Sequence, residues 1–168
     1  SGFTPDGQYP IIFAEKGITI FDVVKELKVK VASSSVIKYI KGGQRANMVP
    51  DYCEAAVASN DLDQVIKSCS EFAAKTGYKI SAEIKDGIAV IKSVGVSAHG
   101  STPEFGKNAI MQMFKFLAAL DLGKCDIGEF INFFNKYISF ETDGTSFGVG
   151  LSDKVSGKLS FKDRKSVV

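Results

Sequence analysis

A single histidine occurs in the sequence, His99, within VGVSAHGSTPEFGKNA. Imidazole both donates and accepts hydrogen bonds, and it changes charge near neutral pH. Gly100, Ser101 and Pro103 end a strand-like run there. His99 is thus expected at a strand tip just ahead of a helix start, where a rigid scaffold aims functional groups. The apolar residues of that run, Ile88, Val90, Val94 and Val96, fall on even positions, so odd-numbered His99 is expected to point away from the core face. A second cluster, GGQRANMVPD, spans Gly42 to Asp51. Adjacent glycines make a tight turn; beside them Arg45 could grip a carboxylate through two parallel hydrogen bonds, and Asn47 could both donate and accept. Both residues equally suit a solvated loop. The third cluster, GFTPDGQYP, holds Asp6 in a Pro-Asp-Gly turn, where an aspartate serves as readily to form the turn as to bind a ligand.

These residues do not complete a catalytic centre. A catalytic zinc needs at least three protein ligands and a two-metal site more, whereas the sequence offers one histidine and scattered cysteines. It has no nucleophile elbow, no phosphate-cradling GxxxxGK and no dinucleotide fingerprint. The 168 residues carry a net charge of +2 with lysines spread along the chain, which argues against a nucleic-acid partner. At this length a core closes without disulfides or a structural metal. Cys53, Cys69 and Cys125 are odd in number and lack CxxC spacing, so a reducing compartment, the cytoplasm, is expected. No apolar run approaches the ~20 residues of a membrane span, and no signal-peptide pattern is present. Without an initiator Met, the start at Ser1 reads as that of an excised piece.

The elements that must position these groups follow from periodicity. Strand-like stretches run from Val29 to Lys41 and from Met48 to Ala58, and Pro50 predicts an edge position or a bulge. Leu62, Val65, Ile66, Cys69, Phe72 and Ala73 build one helical stripe, with Asn60 or Asp61 to cap its start and Gly77 its end. Ile80, Ala82 and Ile84, then Asp86-Gly87, then the run from Ile88 predict a hairpin. A second helix is expected from Thr102-Pro103-Glu104 through Phe114 to about Leu120. A third would open on a capping box of Asp126 and Glu129 and present Ile127, Phe130, Ile131, Phe134 and Ile138 on one face. This order predicts an α+β fold, an antiparallel sheet covered on one face by helices. Residues 1–28 read as loop, with a short strand at Ile11 to Ala14 and little of their own to pack against. After Phe140 the chain turns to Gly, Ser, Asp and Lys and reads as the opening of an unfinished unit.

Taken in order, GFTPDGQYPIIFAEKG, GGQRANMVPDYCEAAV and VSAHGSTPEFGKNAI resemble a stretch of the dipeptidases in the aminoacylase/carnosinase peptidase family, nearest to the bacterial Xaa-His dipeptidases, over about residues 1–140. The resemblance implies a fragment of a larger two-domain enzyme, in which a ferredoxin-like lid is inserted into a catalytic domain that binds two zinc ions. It implies that residues 1–28 belong to the catalytic domain, 29–140 form the first half of the lid, and 141–168 begin the second half. Asp6 then corresponds to a carboxylate ligand of one zinc, and Asn47, with Arg45 beside it, to a lid residue that binds substrate. His99 corresponds to the lid histidine that stabilises the oxyanion of the tetrahedral intermediate. The family's His-x-Asp pair, its Glu-Glu pair with the general base, and its later histidine ligand have no counterpart here. The fragment alone is therefore expected to hold no zinc and to hydrolyse nothing. The expected partner is a dipeptide bound by the parent enzyme, with no nucleic acid and no membrane, and the sheet edge could recruit a second copy. Two other readings stay open: a free-standing binding or dimerisation module of the same fold, and a deacylase of the family acting on N-acyl amino acids.

Overall fold

The computed structural model describes residues 17–28, 33–45, 47–163 and 166–167; the expected strand at Ile11 to Ala14 and residue Asp6 lie outside them. β1 (Ser35–Gly42) and β2 (Tyr52–Ser59) pair antiparallel from Ser35 opposite Ser59 to Gly42 opposite Cys53, with a bulge between Ile37 and Tyr39. α1 (Leu62–Thr76) follows. Its first turn is capped by the Asp61 carboxylate, which accepts from the Gln64 N–H. Its end is set by Gly77 at φ +71°, whose N–H donates to the Ala73 carbonyl. β3 (Lys79–Lys85) and β4 (Ile88–Val94) form a hairpin turned by Asp86 and Gly87 at φ 49° and 75°. Both signs are positive, the backbone that matches strand twist in a two-residue turn.

β4 also pairs with β2, so the sheet runs β3-β4-β2-β1 and every neighbour is antiparallel. With β4 lying between them, β2, α1 and β3 make a split β-α-β unit, the building block of ferredoxin-like folds. α2 (Ala109–Leu117) and α3 (Asp126–Tyr137) come next, then a small ribbon of β5 (Ser152–Asp153) and β6 (Gly157–Lys158). Finally β7 (Ser166–Val167) pairs with β1 at Lys41 and Gly42.

The helices cover one face of this sheet. Cys53, Ala55 and Val57 of β2, Ala89 and Ile91 of β4 and Ile40 of β1 meet α1 at Val65 and Cys69 and α2 along much of its length. α2 is apolar nearly all round because it is enclosed on all sides, with α3 on its far flank. Phe114 packs edge-on against Phe134 of α3 with ring centroids 5.5 Å apart, and Phe116 meets Phe72 of α1, also at 5.5 Å. Full burial of each such ring contributes roughly 2–3 kcal/mol. The α+β class and the helix-covered antiparallel sheet thus stand as expected.

Several local expectations do not. The core face of β4 carries the odd residues Ala89, Ile91 and Ser93, all fully buried, whereas Ile88, Val90, Lys92 and Val94 form the outer face. Parity misled because this outer face is apolar too: Val90, opposite Ala56, is itself buried. Pro50 lies in neither an edge strand nor a bulge. It precedes β2, an interior strand, and its carbonyl accepts from the Ala109 N–H at 2.9 Å. Pro103–Phe105 form only a 3-10 turn, and α2 starts at Ala109 with Asn108 accepting from the Ile110 and Met111 N–H groups. In α3 Cys125 is the N-cap, its thiol donating back to the Leu122 carbonyl at 3.1 Å instead of capping the helix, and the Asp126 carboxylate accepts from the Lys28 main-chain N–H at 2.7 Å. Residues 17–28 do find packing, since Phe21 stacks on Phe147 and Phe161 at 5.8 and 6.3 Å and Lys25 pairs with Glu129 at 2.6 Å.

Candidate functional site

Beyond the sheet's end, the chain between β1 and β2 runs alongside the continuation of β4 and forms a two-stranded arm. Gly95 N donates to Asp51 O at 2.8 Å, Val49 N to Ala98 O at 2.8 Å, and Gly100 N to Asn47 O at 2.7 Å. Met48 thereby stands opposite His99 in an antiparallel bridge. The arm is rooted by buried Val49 and Pro50, and by Val96 and Lys107, which exchange main-chain bonds of 2.9 and 2.8 Å. At the tip the Thr102 N–H donates to the His99 carbonyl at 3.0 Å, closing a turn that leaves the His99 side chain exposed.

Two glycines make this closeness possible. A Cβ at Gly100 would lie 2.9 Å from the Asn47 carbonyl oxygen and 2.8 Å from Lys162 Cε. One at Gly95 would fall on the Lys107 carbonyl oxygen.

The arm brings His99 and Asn47 together at one tip, with exposed Arg45 close in sequence and its carbonyl accepting from Met48 N at 3.4 Å. Asp6 lies outside the described residues. The imidazole is itself held: Nδ1 lies 2.8 Å from Ser101 Oγ and accepts from the Ser101 main-chain N–H at 3.2 Å. A third segment braces the arm from beside it. Lys162 Nζ donates to Met48 O at 2.7 Å, Ser160 Oγ to Ser101 O at 3.2 Å, and Asn108 Nδ2 to Asp163 O at 3.2 Å. Sequence reasoning missed Ser160 and Lys162, because neither spacing nor composition in that polar stretch marks them.

A separate polar cluster lies on the open face of the sheet. Glu54 accepts from Tyr39 Oη at 2.6 Å and from Tyr52 Oη at 2.8 Å, and these bonds hold its carboxyl below the usual range. Partial burial, then the bond to Glu54, pushes the Tyr52 phenol up to about 12. Among the described residues, no three His, Cys, Asp or Glu side chains gather to hold a metal ion. The described residues do not fit a zinc site.

What the arm can do is offer hydrogen-bond donors and a cation to an anionic or carbonyl group brought against its tip. Comparison with known proteins gives it a context. Residues 88–156, from the start of β4 to just short of β6, match the peptidase dimerisation domain family. Over 162 residues the chain is 33% identical to a Staphylococcus aureus protein that carries the word dipeptidase in its name, covering 95% of this chain and 34% of that protein. A Staphylococcus epidermidis protein with the same word in its name is 32% identical with the same coverage. The chain is thus similar over nearly its whole length to these dipeptidase-named proteins, and its residues 88–156 resemble a peptidase dimerisation domain, as the motifs around Asn47 and His99 implied. It spans about a third of the length of these relatives, over a region that includes the family's dimerisation domain. No described helix is long and apolar enough to cross a membrane.

Proposed function

We propose that the chain is the substrate-covering lid portion of a dipeptide hydrolase. His99 donates a hydrogen bond to the oxygen on which negative charge develops when the peptide carbonyl is attacked. Asn47 and Arg45 hold the polar ends of the substrate. The observation that carries this reading is the convergence of His99 and Asn47, distant in sequence, on the tip of one braced arm. The two zinc ions belong to the parent enzyme, with Asp6 among their ligands and the other ligands supplied from outside this chain. The chain alone neither binds them tightly nor turns over peptides. In this reading residues 1–28 serve the catalytic domain, 29–140 are the first half of the lid and 141–168 begin the second. Free thiols at Cys53, Cys69 and Cys125 support a cytoplasmic setting.

A longer protein containing this chain provides the test, assayed with a panel of dipeptides and N-acyl amino acids. A preorganised oxyanion donor is worth about 10²–10³ in kcat, so His99→Ala should lower kcat by that factor, while Asn47→Ala should act mainly on KM. Full activity in the His99→Ala protein would remove the role given to His99. Zinc-dependent cleavage by the 168-residue chain unaided would overturn the incomplete-site reading.

Self-association is a second component of the proposal, supported by the match to a dimerisation domain and by β3, which among the described residues pairs only with β4 and so presents a sheet edge. Sedimentation of the chain should then show a dimer that an Ile84→Pro change in β3 dissociates. A monomer at all concentrations would exclude this use of the edge.

A further inference from the structure

We propose that Ser101 is the positioning residue of His99: it keeps Nδ1 as a hydrogen-bond acceptor and thereby leaves the proton on Nε2, aimed outward from the arm. The inference rests on the lid reading only for what the outward donor is used for.

The argument starts from what a main-chain N–H can do. It donates and never accepts. The Ser101 N–H points at His99 Nδ1 at 3.2 Å, so Nδ1 must offer a lone pair there. In the neutral ring the proton then sits on Nε2. A serine hydroxyl can play either role, but with Nδ1 already an acceptor, Ser101 Oγ at 2.8 Å is a second donor to the same atom. Two donors from one residue thus fix both the tautomer and the rotation of an exposed ring. Nothing else bonded to the ring competes for Nδ1 among the described contacts.

Ser101 is in turn held in place. Its carbonyl accepts from Ser160 Oγ at 3.2 Å, and the turn containing it is closed by Thr102 N donating to His99 O at 3.0 Å. Its neighbour Gly100 is bonded across the arm to Asn47 O at 2.7 Å. The donor pair therefore belongs to a fixed loop, and the outward Nε2–H is preorganised, the property that makes an oxyanion donor effective. A ring free to present Nδ1–H half the time would lose that fraction of productive encounters and would also turn away from the substrate.

The chain contains one histidine, so a long-range proton-nitrogen correlation spectrum of the imidazole contains one pair of ring nitrogens and no overlap. Recorded at about pH 9, where imidazoles are neutral, the wild-type chain should show Nε2–H as its dominant tautomer. Ser101→Ala removes the hydroxyl and keeps the main-chain donor, so the Nδ1–H population should rise measurably. Ser101→Thr should restore the wild-type pattern. In the longer, active protein, Ser101→Ala should lower kcat about three- to tenfold, the worth of one hydrogen bond, with KM within about twofold and with rescue by Ser101→Thr.

A wild-type ring that populates Nδ1–H as much as Nε2–H would overturn the proposal, as would Ser101→Ala leaving both the tautomer and kcat unchanged. The spectrum is independent of catalysis, so the two readings fail separately. Loss of the His99 effect on activity with the tautomer intact would sink the lid role and leave Ser101 as the residue that sets the ring.

Discussion

Gly95 is the point at which the arm leaves the sheet, and Gly95→Ala should be the most disruptive of the small substitutions available there. A Cβ at this position would fall on the Lys107 carbonyl oxygen and lie 3.0 Å from Ala109 N. Lys107 O accepts from Val96 N at 2.9 Å, Lys107 N donates to Val96 O at 2.8 Å, and Ala109 N, at the start of α2, donates to Pro50 O at 2.9 Å. The clash is with backbone, so no rotamer change relieves it. The chain must give up the Val96 and Lys107 pair or shift the first turn of α2. Two main-chain bonds at about 1 kcal/mol each, plus a buried donor left without its partner at about 1–3 kcal/mol, give roughly 3–5 kcal/mol. In a domain of this size that is a fall in Tm of roughly 6–20 °C. Gly87→Ala is the control. Gly87 sits at φ +75° with nothing within 4 Å of a built Cβ, so only left-handed strain applies, about 1–2 kcal/mol. Thermal melts followed by circular dichroism, with amide exchange read at Val96 and Lys107, make the comparison. If Gly95→Ala melted no lower than Gly87→Ala, the close approach described for the arm would be wrong.

The other expectations follow from the same contacts. The lowered Glu54 carboxyl contributes stability that is present above its ordinary value of 4.5 and is lost as pH falls through the lower folded value, so the Tm gap between wild type and Glu54→Gln should narrow as acid is added below pH 4.5. Tyr52 is raised from 10.0 to about 12, so its contribution is present below pH 10 and lost as pH rises towards 12; phenolate absorbance of Tyr52→Phe against wild type should show the missing tyrosine titrating late. Burial pushes the thiols of Cys53 and Cys69 up to about 12 and about 11, so a thiol reagent should modify half-buried Cys125 in the native chain and reach the other two only on unfolding. Lys162→Ala removes the bond to the Met48 carbonyl, should cost about 1 kcal/mol, and should speed amide exchange at Gly100 more than at Ala55 in the sheet.

The parts of the fold that were legible in the sequence are those set by neighbouring residues. α1 announces itself through Asp61, Gly77 and its apolar stripe, and the β3 to β4 hairpin through Asp86-Gly87, because caps and two-residue turns are local events. The face of β4 was not legible, since both faces carry apolar side chains and only the tertiary contacts of Ala89 and Ile91 with the helices choose between them. The start of α2 was displaced for a related reason. Pro103 does begin a helical turn, but Gly106 and the bridge between Val96 and Lys107 interrupt it, and Asn108 restarts the helix. The candidate site shows the same division. His99 and Asn47 stood out by residue type and by the resemblance, whereas Ser160 and Lys162 act through single long-range hydrogen bonds that leave no periodic trace.

The arrangement of the tip has a physical consequence for how it would act. The imidazole depends on three segments far apart in the sequence: the loop around Asn47, the turn from His99 to Thr102, and residues 160–163. The last of these is tied through Phe161 and Phe147 to Phe21, with the rings of Phe147 and Phe161 stacked 5.3 Å apart, so the segments that flank the sheet in sequence touch each other and one of them touches the arm. A donor held this way loses little freedom when a charge forms against it, because its orientation was fixed when the chain folded. In the proposed lid its interaction with a developing oxyanion would exceed its interaction with the ground-state carbonyl, which is the condition for raising kcat instead of tightening binding. The same logic separates the residues of the arm by the kinetic constant they should control. In the proposed lid, Ser101, which aims the imidazole, would belong with kcat, and Asn47 and Arg45, proposed to meet the substrate in both states, would belong with KM.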